Sequence, residues 1–173
     1  PGVDIPGGYR FLRGLHRLRY LDLSSMLSPV ASIWKPRFLP AYTGSILDDD
    51  GALVPRHTVN YWPSLEFLNL SRGSADGTDG WAGVSLASEV LFLDEDSSAV
   101  ICPNVRVLDV SGLKLQGDIA VLSRLKRLRA VYGGGNRLTG SFDFGPSRIL
   151  PESLEIVELS DNMLSGHFEG DAL

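Results

Sequence analysis

Apolar residues recur along this chain in a spaced triplet, at positions 1, 4 and 6 of short segments, with polar residues between them. Five segments share the template: Leu18-Arg19-Tyr20-Leu21-Asp22-Leu23, Leu65-Glu66-Phe67-Leu68-Asn69-Leu70, Val105-Arg106-Val107-Leu108-Asp109-Val110, Leu128-Arg129-Ala130-Val131-Tyr132-Gly133 and Leu154-Glu155-Ile156-Val157-Glu158-Leu159. The fourth ends in Gly where the others end in an aliphatic residue. Positions 4 and 6 lie two apart, so in an extended strand they share a face, and position 1 reaches the same interior from the bend before it. A single unit of this kind cannot bury its apolar side, whereas a stack of them can.

The segments start 47, 40, 23 and 26 residues apart. The last two intervals match a repeat of roughly 20–29 residues. The first is close to two such repeats and predicts one degenerate unit hidden in it; the second predicts one repeat carrying an insertion. After the strand further markers follow. Asn136 and Asn162 stand at position 9, where a buried amide can satisfy backbone groups left open as the chain turns away. Leu138 and Leu164 stand at position 11. Gly117, Gly140 and Gly166 then sit where a tight or left-handed backbone is required, each followed two residues later by an apolar side chain.

With these residues in place the chain resembles the leucine-rich-repeat family. Leu154 to Phe168, reading LEIVELSDNMLSGHF, carries nearly the whole family pattern. The leucine–X–glycine–X–apolar extension resembles the subtype of plant receptor ectodomains and some protozoan surface proteins. The match is good over 105–173, fair over 11–26 and 63–73, and poor elsewhere. Met26, Gly73 and Leu113 occupy the Asn slot, and Ala120, Asp143 and Glu169 replace the Pro that usually follows the extension. The resemblance implies an α/β solenoid: a single horseshoe-like unit over 1–173, with short parallel strands on the concave face and loops and short helices on the convex one.

Two stretches interrupt the pattern. Residues 27–62 contain four prolines, the aromatics Trp34, Tyr42, Tyr61 and Trp62, and the acidic run Asp48-Asp49-Asp50. They are expected to form an irregular excursion, and long excursions of this kind are often functional. The insert at 74–97 opens as a Gly- and Asp-rich loop. Its continuation, Val84 to Leu93, predicts a short outer helix with Leu86, Val90 and Leu93 inward at helical spacing. Neither end shows a polar capping unit, so the expectation is a fragment, or ends that dock on neighbouring chain.

Composition changes this picture little. The chain has 173 residues, enough for one sizeable core, and its 19 glycines and 10 prolines fit many short elements joined by turns. A net charge of −5 argues against general affinity for nucleic acid. No apolar run approaches the ~20 residues that a membrane-spanning helix needs. Cys102 is the single cysteine, which excludes an internal disulfide and a cysteine-based metal site. It reads as a small buried residue.

Catalysis finds little support. His16, His57 and His167 fall in unrelated segments without metal-ligand spacing. Asp48-Asp49-Asp50 and Asp94-Glu95-Asp96 lack the oxygen spacing of a calcium loop. Gly133-Gly134-Gly135 lacks the Lys-Ser/Thr of a phosphate loop. The basic cluster Arg124, Lys126, Arg127 and Arg129, echoed by Arg13, Arg17 and Arg19, reads first as a solvated face and second as a site for an acidic partner or phosphate. No catalytic residue, cofactor or metal is therefore expected.

Binding is expected instead on the outward strand positions. Position 3 reads Tyr20, Phe67, Val107, Ala130 and Ile156, apolar although exposed, and position 5 reads Asp22, Asn69, Asp109, Tyr132 and Glu158. Exposed aromatics beside charged residues suit protein recognition; the alternative is that position 3 merely favours strand formers. The expected binding set is Tyr20, Asp22, Phe67, Asn69, Asp109, Tyr132 and Glu158, with a protein ligand or neighbouring subunit as partner. Asn69-Leu70-Ser71 is also an acceptor sequence for N-linked glycan, or a chance match inside the template. The subtype resemblance implies a cell-surface or secreted setting. A scaffold element within a larger intracellular assembly is the other reading.

Overall fold

The computed structural model describes residues 15–24, 37–38, 45–47, 53–55, 62–71, 82–91, 100–141 and 150–166. Each of the five template segments supplies one strand: β1 (Tyr20–Asp22), β5 (Phe67–Asn69), β6 (Val107–Asp109), β8 (Ala130–Tyr132) and β10 (Ile156–Glu158). They form one five-stranded sheet in that order. Every pairing is parallel and in template register, so that Leu21, Leu68, Leu108, Val131 and Val157 face one another along a row. The ladder continues past the strands: Leu23, Leu70, Val110 and Gly133 donate their N–H groups to Asn69, Asp109, Tyr132 and Glu158 carbonyls at 2.7–2.8 Å.

A common turn precedes each strand. The N–H at position 1 donates back three residues in all five segments, from Leu18 to Leu15, Leu65 to Trp62, Val105 to Cys102, Leu128 to Leu125 and Leu154 to Pro151. Trp62, Cys102 and Leu125 at that turn are fully buried. Trp62 therefore belongs to the turn before β5 and not to an irregular excursion.

The residues between template segments depart from expectation in two places. Within 27–62, β2 (Arg37–Phe38), β3 (Ser45–Leu47) and β4 (Leu53–Pro55) make a separate antiparallel three-stranded sheet. Tyr20 pairs directly with Phe67, so the 47-residue interval adds no strand to the main sheet and hides no degenerate unit there. Likewise β5 pairs directly with β6, so the insert puts no strand between them. The helix expected over Val84 to Leu93 is one six-residue π-helical turn at Leu86–Leu91. Leu86, Val90 and Leu91 are its buried side chains; the wider π pitch brings 91 as well as 90 to the inward side. Leu93 lies outside the described residues.

Beyond the strands, the leucine–X–glycine extensions are not plain loop. β7 (Gln116–Asp118) and β9 (Arg137–Thr139) pair in parallel, and bridges Ser85–Gln116 and Ser141–Ser165 flank them. Gly140 at φ +112° enables this packing, since a Cβ there would fall on the Asp118 side chain. A 3₁₀ helix, Ile119–Arg124, starts where Asp118 accepts from Ala120 N–H at 2.8 Å and buries Ile119 and Leu122. One apolar cluster joins the inward residues of β1, β5, β6 and β8 to both helical turns.

Asn136 and Asn162 knit successive segments together through identical bonds. Asn136 donates to Gly133 O in its own turn and to Val110 O in the preceding segment, both at 2.9 Å, and accepts from Leu115 N–H at 2.9 Å. Asn162 repeats this one segment on, donating to Leu159 O at 3.0 Å and Gly133 O at 2.8 Å and accepting from Leu138 N–H at 2.9 Å. The Gly at position 6 of the fourth segment also has a reason. A Cβ on Gly133 would lie 2.8 Å from the Leu159 side chain, which fills the space an aliphatic residue would have taken.

Row by row, burial is uneven. Leu108 and Val131 are sealed, whereas Val157, in the same row, is 37% exposed. Val157 has β8 on one side and no strand of this sheet among the described residues on the other. In-register pairing thus does not make it part of a closed core.

Candidate functional site

The outer face of the sheet carries the residues at positions 3 and 5. Tyr20 and Phe67 stack face to face across β1 and β5, with ring centroids 4.2 Å apart and planes 4° from parallel. Tyr20 remains 59% exposed and Ile156, on the opposite edge strand, 49%. Phe67 and Val107 are half-buried. Ala130 is buried, contrary to the outward row read from the sequence. Its single methyl is too short to clear the backbone, and the longer Val107 and Ile156 flank it in register. The apolar face therefore divides into an aromatic end and an Ile156 end.

Position 5 has a local task that the sequence reading missed. Asp22 accepts from Ser24 N–H at 2.9 Å, Asn69 from Ser71 N–H at 2.9 Å, Asp109 from Ser111 N–H at 3.0 Å and Glu158 from Ser160 N–H at 3.1 Å. The Ser111 and Ser160 hydroxyls donate to the same carboxylates. Each acid or amide thus closes the turn by which the chain leaves its strand. The signal was present as Asp22-Leu23-Ser24, Asn69-Leu70-Ser71, Asp109-Val110-Ser111 and Glu158-Leu159-Ser160. Tyr132 breaks it, and there Gly134 N–H donates to Glu158 at 3.2 Å instead.

These bonds set the charge state of the face. The Ser24 hydroxyl first, then its N–H, Asn69 and Tyr20, hold the Asp22 carboxyl below its ordinary value, while burial pulls the other way. The Ser160 hydroxyl and N–H, with Gly134 N–H, do the same for Glu158 against the opposing effect of burial. Both carboxylates are ionised at neutral pH. Asn69 turns its amide nitrogen toward Asp22 at 3.5 Å, and its Ser71 occupies the place of Ser24, Ser111 and Ser160. The glycan-acceptor triplet therefore coincides with the turn signal of the template.

A second polar row runs along position 2, where the chain enters the strands. It reads Arg19, Glu66, Arg106, Arg129, Glu155, joined through backbone bonds of 2.7–2.9 Å between neighbours. Arg19 donates to Glu66 through Nε at 2.9 Å and a terminal nitrogen at 2.6 Å. Arg106 lies 3.5 Å from the other Glu66 oxygen, and Arg129 lies 3.6 Å from Glu155. Arg19, and then Arg106 and Arg127, hold the Glu66 carboxyl below its ordinary value, against the opposing effect of desolvation. A cleft of about 270 Å³ opens beside this row, lined by Arg19, Pro63, Ser64, Glu66, Asn104, Arg106 and Arg127. Of the basic residues singled out in the sequence, Arg19 and Arg127 are those among the described residues that line it. Arg106, which the run-based reading passed over, completes it because cross-strand register brings together residues far apart in the chain.

Among the described residues no group of three His, Cys, Asp or Glu side chains is placed to hold a metal ion. Asp48-Asp49-Asp50, Asp94-Glu95-Asp96, His57 and His167 lie outside those residues. Cys102 is a free thiol, wholly buried, and burial pushes its pKa up to about 12. That is the opposite of the depressed value a reactive thiolate requires. No helix among the described residues is long and apolar enough to cross a membrane. No family model, curated protein or solved structure matches this chain.

Proposed function

We propose that this chain is a leucine-rich-repeat-like solenoid acting as a non-catalytic protein-recognition module, which binds a partner through the outward face of its parallel sheet. The carrying observation is the Tyr20–Phe67 stack, in which Tyr20 is left largely in water over a half-buried Phe67, beside ionised Asp22. Large aromatics that remain exposed on a rigid strand can be desolvated by a partner with little loss of conformational freedom. In this reading Asp22, Asn69, Asp109 and Glu158 are chiefly turn-closing residues whose charge complements a partner at the rim. Tyr132, which closes no turn, adds to the contact surface.

The test is affinity capture from the native source with the wild-type protein and a Tyr20→Ala/Phe67→Ala variant. A partner retained by the first and lost by the second, with the variant still folded by circular dichroism, supports the reading. Equal capture by both removes the aromatic pair from it.

The exposure of Ile156 and Val157 on both faces of β10, and of Met163 at 65% beyond it, favours a second reading as a scaffold element of a larger intracellular assembly. There the apolar side of β10 would be covered by neighbouring chain. Asn69 glycan occupancy in the native protein separates the two settings, because glycan is added only on the secretory route.

A further inference from the structure

We propose that the arginine-lined cleft beside the position-2 row is a separate binding site for an acidic protein segment, receiving aspartate or glutamate side chains. The inference stands on the cleft and is independent of the aromatic pair.

Three guanidinium groups and one carboxylate line this space. The local balance is positive in a molecule whose net charge is −5. Glu66 does not neutralise the set. Both Arg19 bonds go to one of its oxygens, and Arg106 stands only loosely against the other at 3.5 Å. Arg127 forms no ion pair within 4 Å among the described residues and acts on Glu66 only at longer range. Among the described residues, Arg106 and Arg127 thus keep donors that Glu66 does not take up. Arg129 belongs to the row but is paired with Glu155 at 3.6 Å and does not line the cleft.

The walls are also fixed before any ligand arrives. Asn104 donates its amide to Pro63 O at 2.5 Å, tying the turn before β6 to the turn before β5. Glu66 and Arg106 backbones are bonded into the ladder. The backbones that carry the donors are therefore fixed, which limits the part of the ordering cost that falls on the main chain.

Planar guanidinium forks match a carboxylate in two-point geometry. A cleft of about 270 Å³ has room for one or two carboxylate side chains. An acidic peptide, whose carboxylates sit on separate short side chains, is thus the occupant that suits this space. Such exposed contacts serve orientation and association rate more than affinity.

The experiment measures fluorescence anisotropy of a labelled hexaglutamate peptide titrated with the full chain at low salt. The wild type should bind, and added salt should weaken binding. Arg106→Gln/Arg127→Gln should weaken it roughly tenfold, each exposed charge pair being worth up to about a fivefold change. Glu66→Gln, which removes the resident competitor, should tighten it several-fold. Arg137→Gln on β9, a loss of charge away from the cleft, should leave it unchanged. No binding by wild type, equal binding by the double variant, or weaker binding by Glu66→Gln would overturn the proposal. Equal affinity for a single-stranded oligonucleotide of the same charge would overturn it too, by reducing the site to general polyanion attraction.

Discussion

β6 and β10 are built from the same template, and the fold treats them differently. Leu108 in β6 is closed between Leu68 and Val131, and its neighbours at positions 1 and 6, Val105 and Val110, are sealed as well. Val157 in β10 repeats the register exactly one strand beyond Val131 yet stays 37% exposed, with Leu154 and Leu159 only half-buried. A template position therefore sets which way a side chain points. How deeply that side chain is buried depends on what covers it: Val157 has a strand of this sheet on one side only and stays open, whereas Leu21 on the opposite edge strand is buried.

The sharpest way to break this comparison is at the two row positions. Leu108→Ala should cost about 2–5 kcal/mol, the range for a large-to-small change in a sealed core. Val157→Ala should cost well under about 1 kcal/mol, since it removes two methyl groups already partly in water. Urea unfolding of both variants checks this, and equal losses would contradict the uneven row.

The asparagines extend the contrast with a somewhat smaller effect. Asn136→Ala leaves Leu115 N–H, Val110 O and Gly133 O without their side-chain partner at a buried position. Its cost should be about 2–3 kcal/mol, given about 1–3 kcal/mol for a stranded buried group. Asn162 makes the equivalent bonds half in water, so Asn162→Ala should cost about half as much by the same rule. Thermal unfolding of the pair measures the difference.

Gly140→Ala comes next. Its backbone sits at φ +112°, and the added Cβ meets Asp118 and Ile119. A destabilisation of about 1–2 kcal/mol is expected, more than an ordinary Gly→Ala change at a permissive site would shift. Gly112→Ala, also at positive φ but with open space around the Cβ, should cost less. The same unfolding assay ranks the two.

The smallest effect concerns acid. Asp22 and Glu158 have folded-state pKa values below their ordinary 3.8 and 4.5, so the folded state binds the proton less readily than the unfolded one. Their contribution to stability is present at neutral pH. It begins to fade as pH falls to those ordinary values and is gone below the depressed ones. Both groups are well hydrated, so the sum should stay under about 1 kcal/mol. Wild type should exceed Asp22→Asn/Glu158→Gln in stability at pH 7, with the gap closing by pH 3.

Much of the main sheet was legible because period-2 placement of aliphatic residues is a direct record of strand direction. Leu21, Leu68, Leu108 and Val131 could be aligned by eye, and so could the Asn136 and Asn162 turns. The buried turn residues Trp62, Cys102 and Leu125 were not aligned, because their types differ although their offset before position 1 is the same. The antiparallel strands of 37–55 carried no periodic signal in a Pro-rich stretch. On the outer face, position 5 was read as contact surface when its Ser partners two residues on already marked it as turn closure. The cleft escaped notice for a different reason. Arg19, Glu66 and Arg106 lie 40 or more residues apart in the chain, and only strand register joins them.

The central claim is that five distant segments share one parallel ladder, continuous enough to hold an outer face rigid for a partner. Amide hydrogen exchange resolved at single residues tests it most directly, through the N–H groups of Leu23, Leu70, Val110 and Gly133, each of which donates to the next segment along. Leu70 and Val110 should be the slowest, lost only with global unfolding, and Leu23 and Gly133 should follow at the flanks. Exchange of Leu70 and Val110 as fast as that of exposed turn amides would contradict the ladder and, with it, the rigidity of the face proposed for binding.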